Sequence, residues 1–248
     1  MDSTTKPVLH QIDKGLPQFP VGLRPYHHYL KPAFTLPAAP QELDRYKQVS
    51  RWPLDGNVRH GDCTMAAAAH SIHLWNVTTH QSNPIPNTQQ VIDQYLKLSK
   101  GSEAGLIESN VLKTWHSRGL WGHKILGYSH INVHNIAMIK QAVFMYGLAY
   151  VGVQLTHSSD RQFKDRTPWA LAPGWQSEVP YGAHAIPIVG YDKHHFYVVT
   201  WGVVLPVSFD WWHVYGEEAW VILPPQLKEA GGCDHLDLDQ LQADLRLV

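Results

Sequence analysis

Cys63 stands where a thiol can become a nucleophile. It follows Asp62, a good helix N-cap, and opens a stretch to Trp75 that carries an apolar face and the consecutive alanines Ala66–Ala69. Unpaired N–H groups and the helix dipole at a first turn stabilise a thiolate and lower its pKa. The Asp62 carboxylate opposes that effect, so a nearby imidazolium gains importance. Taken alone, a cysteine near a helix start reads as a small buried hydrophobe. The sequence holds 17 histidines. His70 and His73 ride on the Cys63 helix, yet no HExxH, no CxxC and no clustered fourth ligand accompany them, so no metal and no cofactor is expected. His184 precedes the short apolar run Ala185–Val189. By itself it reads as a core histidine.

The elements that must position these residues fall into two halves. After the Cys63 helix, a second helix follows Asn87, with Val91, Ile92, Tyr95 and Leu96 on one face. A third is expected over about Glu108–Ser117, stopping near Gly119, and a fourth over about His134–Tyr146, stopping at Gly147. Strand patterns come later. Ala149, Val151, Val153 and Leu155 alternate with Tyr150, Gly152 and Gln154, and Ala185–Val189, His195–Trp201 and Ala219–Leu223 follow. The polar, proline-containing stretch His157–Tyr181 reads as a long loop suited to substrate selection. Helices first and strands later predict an α+β protein with segregated lobes.

Asn57-Val-Arg-His-Gly-Asp-Cys63, with a helix behind it, resembles the nucleophile segment of the papain-like cysteine peptidases. Gly182-Ala-His-Ala-Ile-Pro-Ile-Val-Gly-Tyr-Asp192 looks like that family's histidine strand, and Phe196–Gly202 is similar to the strand leading to its Asn-Ser-Trp-Gly turn. Ile139–Leu155, helix then strand, resembles the lead-in to its sheet lobe. The likeness runs over roughly residues 54–223. It implies an α+β papain-like fold, with a helical lobe, a β-rich lobe and the active site in the cleft between them. It implies Cys63 as nucleophile, His184 as general acid and base, and an oxyanion hole from the Cys63 N–H and the Asn57 amide. The family usually has Gln where Asn57 stands. Its histidine-orienting asparagine is missing. Register from His184 puts Thr200 there, whereas alignment on Trp201-Gly202 puts Val199 there; unbroken strand register favours Thr200, whose hydroxyl can bond an imidazole. Trp201 is expected to shield the pair, with Trp169 and Trp175 lining a substrate groove and Trp211 and Trp212 as weaker candidates.

The bulk composition narrows the function classes. The chain has 248 residues, 44% hydrophobic and 17% charged, which is enough for a sizeable core without disulfide staples. Twenty basic and 21 acidic residues leave a net charge of −1, with no footprint for nucleic acid or an anionic membrane. No apolar stretch is long enough to span a bilayer, no secretory leader is evident at Met1, and the only two cysteines, Cys63 and Cys233, make a poor disulfide framework; a cytoplasmic setting fits these best. Domain organisation is expected as a Pro-rich arm over 1–55, packed on the body or removable as a leader, a catalytic domain over 56–225 (helical about 56–132, β-rich about 133–225) and a tail over 226–248. The tail leucines Leu236, Leu238, Leu241 and Leu245 suggest a short amphipathic helix. The expected partner is a peptide or other acyl substrate. Ester hydrolysis, acyl transfer and a non-catalytic protein that keeps the fold are the alternatives.

Overall fold

A computed structural model describes residues 19–81, 84–229 and 232–248. Helix α1 (Cys63–Thr78) is buried almost all round. Its alanines favour the helix and leave little bulk between it and its neighbours. Helix α2 (Thr88–Ser99) begins at a reciprocal capping box, Asn87 with Gln90. Helix α3 (Glu108–Ser117) packs on α1 through Trp75 and Trp115, whose ring centroids lie 5.7 Å apart. Helix α4 (Ile136–Tyr146) is capped by the Asn135 side chain and ends at Gly147, whose φ of 89° suits glycine.

The strands are β1 (Gly127–Ile131), β2 (Ala149–Leu155), β3 (Gly182–Tyr191), β4 (His195–Thr200), β5 (Val203–Ser208) and β6 (Gly216–Leu223). They form one antiparallel six-stranded sheet in the order β1-β6-β2-β3-β4-β5. Between β4 and β5 the turn consists of Trp201 and Gly202, with φ of 43° and 77°, closed by the Thr200–Val203 pair. Left-handed backbone at both turn residues is what a tight hairpin with twisted strands needs. Glycine meets it freely; a tryptophan there is strained.

The stretch 157–181, expected as a loop, instead contains helix α5 (His157–Lys164) and the 3-10 turn Trp175–Ser177. Its helix rests on polar capping rather than apolar periodicity. Thr156 and Ser159 form a capping box, and Glu178 accepts from the Ser158 N–H at 2.7 Å and from its hydroxyl at 2.6 Å. Helix α6 (Phe209–Tyr215) buries Trp211 and Trp212, and α7 (Gln226–Glu229) and α8 (Leu238–Leu245) complete the chain. No helix among the described residues is long and apolar enough to cross a membrane.

Residues 1–18 of the expected arm, with Pro7 and Pro17, lie outside the described residues. From Phe19 onward the arm lies against the body. Tyr26 and Tyr146 share a 2.6 Å hydroxyl hydrogen bond, Leu43 bridges Tyr191, and the Tyr29 hydroxyl donates to Asp244 in α8 at 2.7 Å. Arg24 reaches the same carboxylate at 2.8 Å. The tail helix packs Leu241 and Leu245 over Gly127, where even a methyl would come within 3.0 Å of Leu241.

Candidate active site

Cys63 occupies the first turn of α1, and its sulfur accepts the Ala185 backbone N–H at 3.5 Å. Ala185 follows His184 on β3, so the helix start faces the strand at the histidine. The other side of the imidazole is fixed by the β4 hairpin. Thr200 Oγ1 lies 3.0 Å from His184 Nε2, and Trp201 stacks on the ring with centroids 4.8 Å apart and planes 15° from parallel. With the Nε2–H donating to the hydroxyl, Nδ1 is left as the basic nitrogen. Val199 is buried and pairs with Val204, so Thr200 is the residue that meets the imidazole.

The loop before α1 is folded on itself. The Gly56 N–H donates to Asp62 Oδ2 at 2.9 Å, and the Asn57 side-chain amide donates to the Leu54 carbonyl at 3.1 Å. Asp62 therefore sits at the cap position without a side-chain capping bond, contrary to the expected N-cap contact. A Cβ at Gly56 would lie 2.5 Å from Asp62 Oδ2, so this loop requires glycine. Pro53 accepts a hydrogen bond from His70 Nε2 at 2.8 Å, and the Trp52 carbonyl would lie 3.3 Å from a Cβ at Gly202. The arm's last residues thus brace both α1 and the Trp201-Gly202 turn. Sequence patterns carried no sign of this, because Pro53 contributes only its carbonyl.

Burial sets the protonation states. Cys63 and His184 are 8% and 4% exposed. Desolvation pushes the Cys63 thiol up to about 12, helped by the charges of Asp62 and Glu108 and opposed by the Ala185 N–H. It drives His184 down to about 3, with His70 adding. The expected lowering of the thiol pKa by the helix start is therefore reversed by burial. Loss of hydration outweighs the dipole, and the resting groups are a neutral thiol and a neutral imidazole. Burial also lifts Asp62 to about 7, which weakens the repulsion expected from it.

Trp201 lies at the site. Trp169 does not line a groove: it is wholly buried, stacks on Trp211 at 4.9 Å, and donates its indole N–H to the Ser159 carbonyl at 3.0 Å. Its edge contact with Trp201, 6.1 Å between centroids, supports the site from behind. Trp211 and Trp212 are core residues as well. Trp175 is half-buried in its 3-10 turn, and among the described residues no ring contact joins it to His184.

The architecture is similar to that of solved cysteine proteases. Xylellain from Xylella fastidiosa superposes with a TM-score of 0.66 at 16% identity, over 89% of this chain and 99% of that one. The chain has the papain-like fold. Recombinant stem bromelain precursor gives a TM-score of 0.54 at 16% identity, covering 88% of this chain and 78% of that one. A Carica candamarcensis cysteine protease gives 0.54 at 14% identity, covering 75% of this chain and 99% of that one. No protein-family model and no curated protein matches the sequence. At these identities the likeness is one of fold rather than of residues.

Proposed function

We propose that this chain is a cysteine-dependent hydrolase of peptide or amide bonds, with Cys63 as nucleophile and His184 as general acid and base. The observation that carries this reading is the meeting of α1 and β3 at Cys63 and Ala185, beside a histidine held by Thr200 and Trp201. His184 Nδ1 takes the thiol proton as Cys63 Sγ attacks the carbonyl carbon. The imidazolium returns that proton to the leaving amine, leaving a Cys63 thioester. Water, deprotonated through the same nitrogen, then releases the acid and frees the thiol. A neutral imidazole is the correct starting state for the first step.

Thr200 orients His184 in this scheme. Thr200→Val keeps shape and removes the hydroxyl, so turnover is expected to fall by roughly 10- to 100-fold, while Thr200→Ser stays within a few-fold. An unchanged rate in Thr200→Val would remove the orienting role. Asn57 keeps one amide hydrogen beyond that given to Leu54, and we assign it to the oxyanion. Asn57→Ala is expected to lower kcat by about 100- to 1000-fold with little change in KM. A change confined to KM would make Asn57 a binding residue instead.

One observation favours a second reading, a non-catalytic protein that keeps the fold: both groups are buried away from solvent. Intact-protein mass spectrometry after incubation with mixed peptide amides and esters separates the two. An acyl adduct on Cys63 together with released amine supports the hydrolase. Adducts from esters alone would move the chemistry to ester hydrolysis or acyl transfer. Neither adduct nor product from any substrate would leave the non-catalytic reading.

A further inference from the structure

His70 follows Cys63 on α1, on nearly the same face and roughly 10 Å along the helix. It is 3% exposed. Its Nε2 faces two oxygens, the Pro53 carbonyl at 2.8 Å and Asp55 Oδ2 at 3.6 Å. Acceptors on that side place the ring proton on Nε2, and only the shorter contact is a hydrogen bond. Burial drives His70 down to about 4, so the imidazole is neutral at neutral pH and has this one proton to give. The reaction as proposed leaves His70 without a role.

Its acceptor lies in the middle of a segment that touches the site. Proline has no N–H, so the carbonyl is the backbone group by which Pro53 can be held. On one side of it is the Trp52 carbonyl oxygen, 3.3 Å from where a Gly202 Cβ would be. On the other are the Leu54 nitrogen and Cα, at 3.4 and 3.5 Å from the same point. The Leu54 carbonyl takes the Asn57 side-chain amide at 3.1 Å. The buried Trp52 ring stands at 89° to the His70 ring, with centroids 5.6 Å apart. Residues 52–54 therefore connect His70 to the Trp201-Gly202 turn and to the loop of Asn57. That turn needs support. Trp201 holds a φ of 43°, and strained backbone of this kind persists only where its surroundings fix it. It carries the ring that stacks on His184, and it follows the Thr200 hydroxyl that bonds His184 Nε2.

We propose that His70 is a positioning residue for the reaction at Cys63: by bonding the Pro53 carbonyl it seats residues 52–54 against the Trp201-Gly202 turn, and the seated turn keeps Thr200 and Trp201 on the His184 ring. This rests on the hydrolase reading of Cys63. Without the bond, residues 52–54 shift from Gly202, the turn relaxes and the Thr200 hydroxyl leaves Nε2. His184 then samples both neutral tautomers, and only the Nε2–H form leaves Nδ1 free to take the thiol proton. Misplacement of about 1 Å, begun away from the chemistry, can cost on the order of 100-fold in rate.

The test compares His70→Gln, His70→Asn and His70→Leu. A glutamine amide reaches the place of Nε2, whereas an asparagine amide ends near the place of Nδ1 and leaves Pro53 unmet. On a peptide amide, His70→Asn and His70→Leu are expected to lower kcat by about 30-fold with KM within about twofold, and His70→Gln to stay within about threefold of native. In a Thr200→Val background, His70→Asn should cost less than about threefold, because both changes act through one hydrogen bond. The second readout is NMR of the His184 ring in protein carrying nitrogen-labelled histidine, assigned by its absence from His184→Ala. One Nε2–H tautomer is expected in the native chain and in His70→Gln, and a mixture in His70→Asn. If the native chain turned over no amide or ester, that tautomer pattern would keep the positioning role and sink the hydrolase. Turnover by the native chain with equal kcat in His70→Gln and His70→Asn would overturn the role of His70 and leave the hydrolase standing. So would a His184 tautomer unchanged in His70→Asn. The Gln and Asn pair carries this decision even if His70→Leu fails to fold.

Discussion

Cys63→Ala and His184→Ala are each expected to lower hydrolysis by about 10⁴-fold or more, with the double variant little worse than either. Nucleophile and base act as one unit in the proposed reaction, so removing either removes the step, and their effects do not add. Steady-state rates on one peptide amide check this. Additive losses would show that the two do not act as one unit, and a Cys63→Ala that still releases amine at the native rate would show that another group does the chemistry. Resting chemistry at the thiol has a matching signature. A group pushed up to about 12 stays protonated through neutral pH, so iodoacetamide labelling of Cys63 should be slow at pH 7 and rise steadily into alkaline solution. His184→Ala should leave that profile without an acidic limb, because the two side chains are not an ion pair at rest. Fast labelling near pH 6 that depends on His184 would mean the free protein spends its time in a more open, ionised state.

Trp169→Ala is expected to destabilise the protein by about 3–5 kcal/mol, enough to lower the melting temperature by roughly 10 °C. The substitution removes a fully buried indole, its stacking on Trp211, its bond to Ser159 and the edge support under Trp201. Its backbone pairs with β5 through the Pro206 carbonyl and the Ser208 N–H and is untouched. Trp169→Phe keeps most of the packing. It should therefore hold KM near the native value while losing part of the stability. A Trp169→Phe protein of native stability with a raised KM would instead place this ring in the substrate groove. Calorimetry and kinetics on the same sample decide between them.

What sequence reasoning reached follows from how locally each feature is encoded. Helices α2 and α4 carry their own caps, Asn87 and Asn135, and α4 its own stop at Gly147; β2 carries a strict alternation, so these were legible. Thr200 was reachable because register counted without a gap from His184 falls on it, whereas alignment on the Trp201-Gly202 turn falls on Val199, which pairs with Val204. By contrast β1, Gly-Tyr-Ser-His-Ile, has no apolar alternation and exists through its pairing with β6. Helix α5 depends on Glu178, which arrives from beyond the helix. The protonation of Cys63 was misjudged for the same reason. A helix start is a local signal, whereas the burial that overrides it is assembled from α1, α3, β3 and the β4 turn. Glu108 of α3 and Glu218 of β6 both close on Gly152 of β2, a meeting with no sequence signature because the three residues come from three separated elements.

The clasp between the arm and α8 bears on the order in which the molecule is made. Tyr29 gives its hydroxyl to Asp244, its carbonyl accepts the Asp237 N–H, and Lys31 donates its N–H to His235. On a ribosome those partners emerge long after residues 19–31 have left the tunnel. The Tyr29 contacts with Asp244 and Asp237 therefore close a loop of about two hundred residues, among the costliest closures in the molecule. The clasp of residues 24–31 on 235–244 can then form only after the tail has been made. A nascent chain halted before Asp237 would contain every strand of the sheet and Cys63 yet lack the partners of Tyr29.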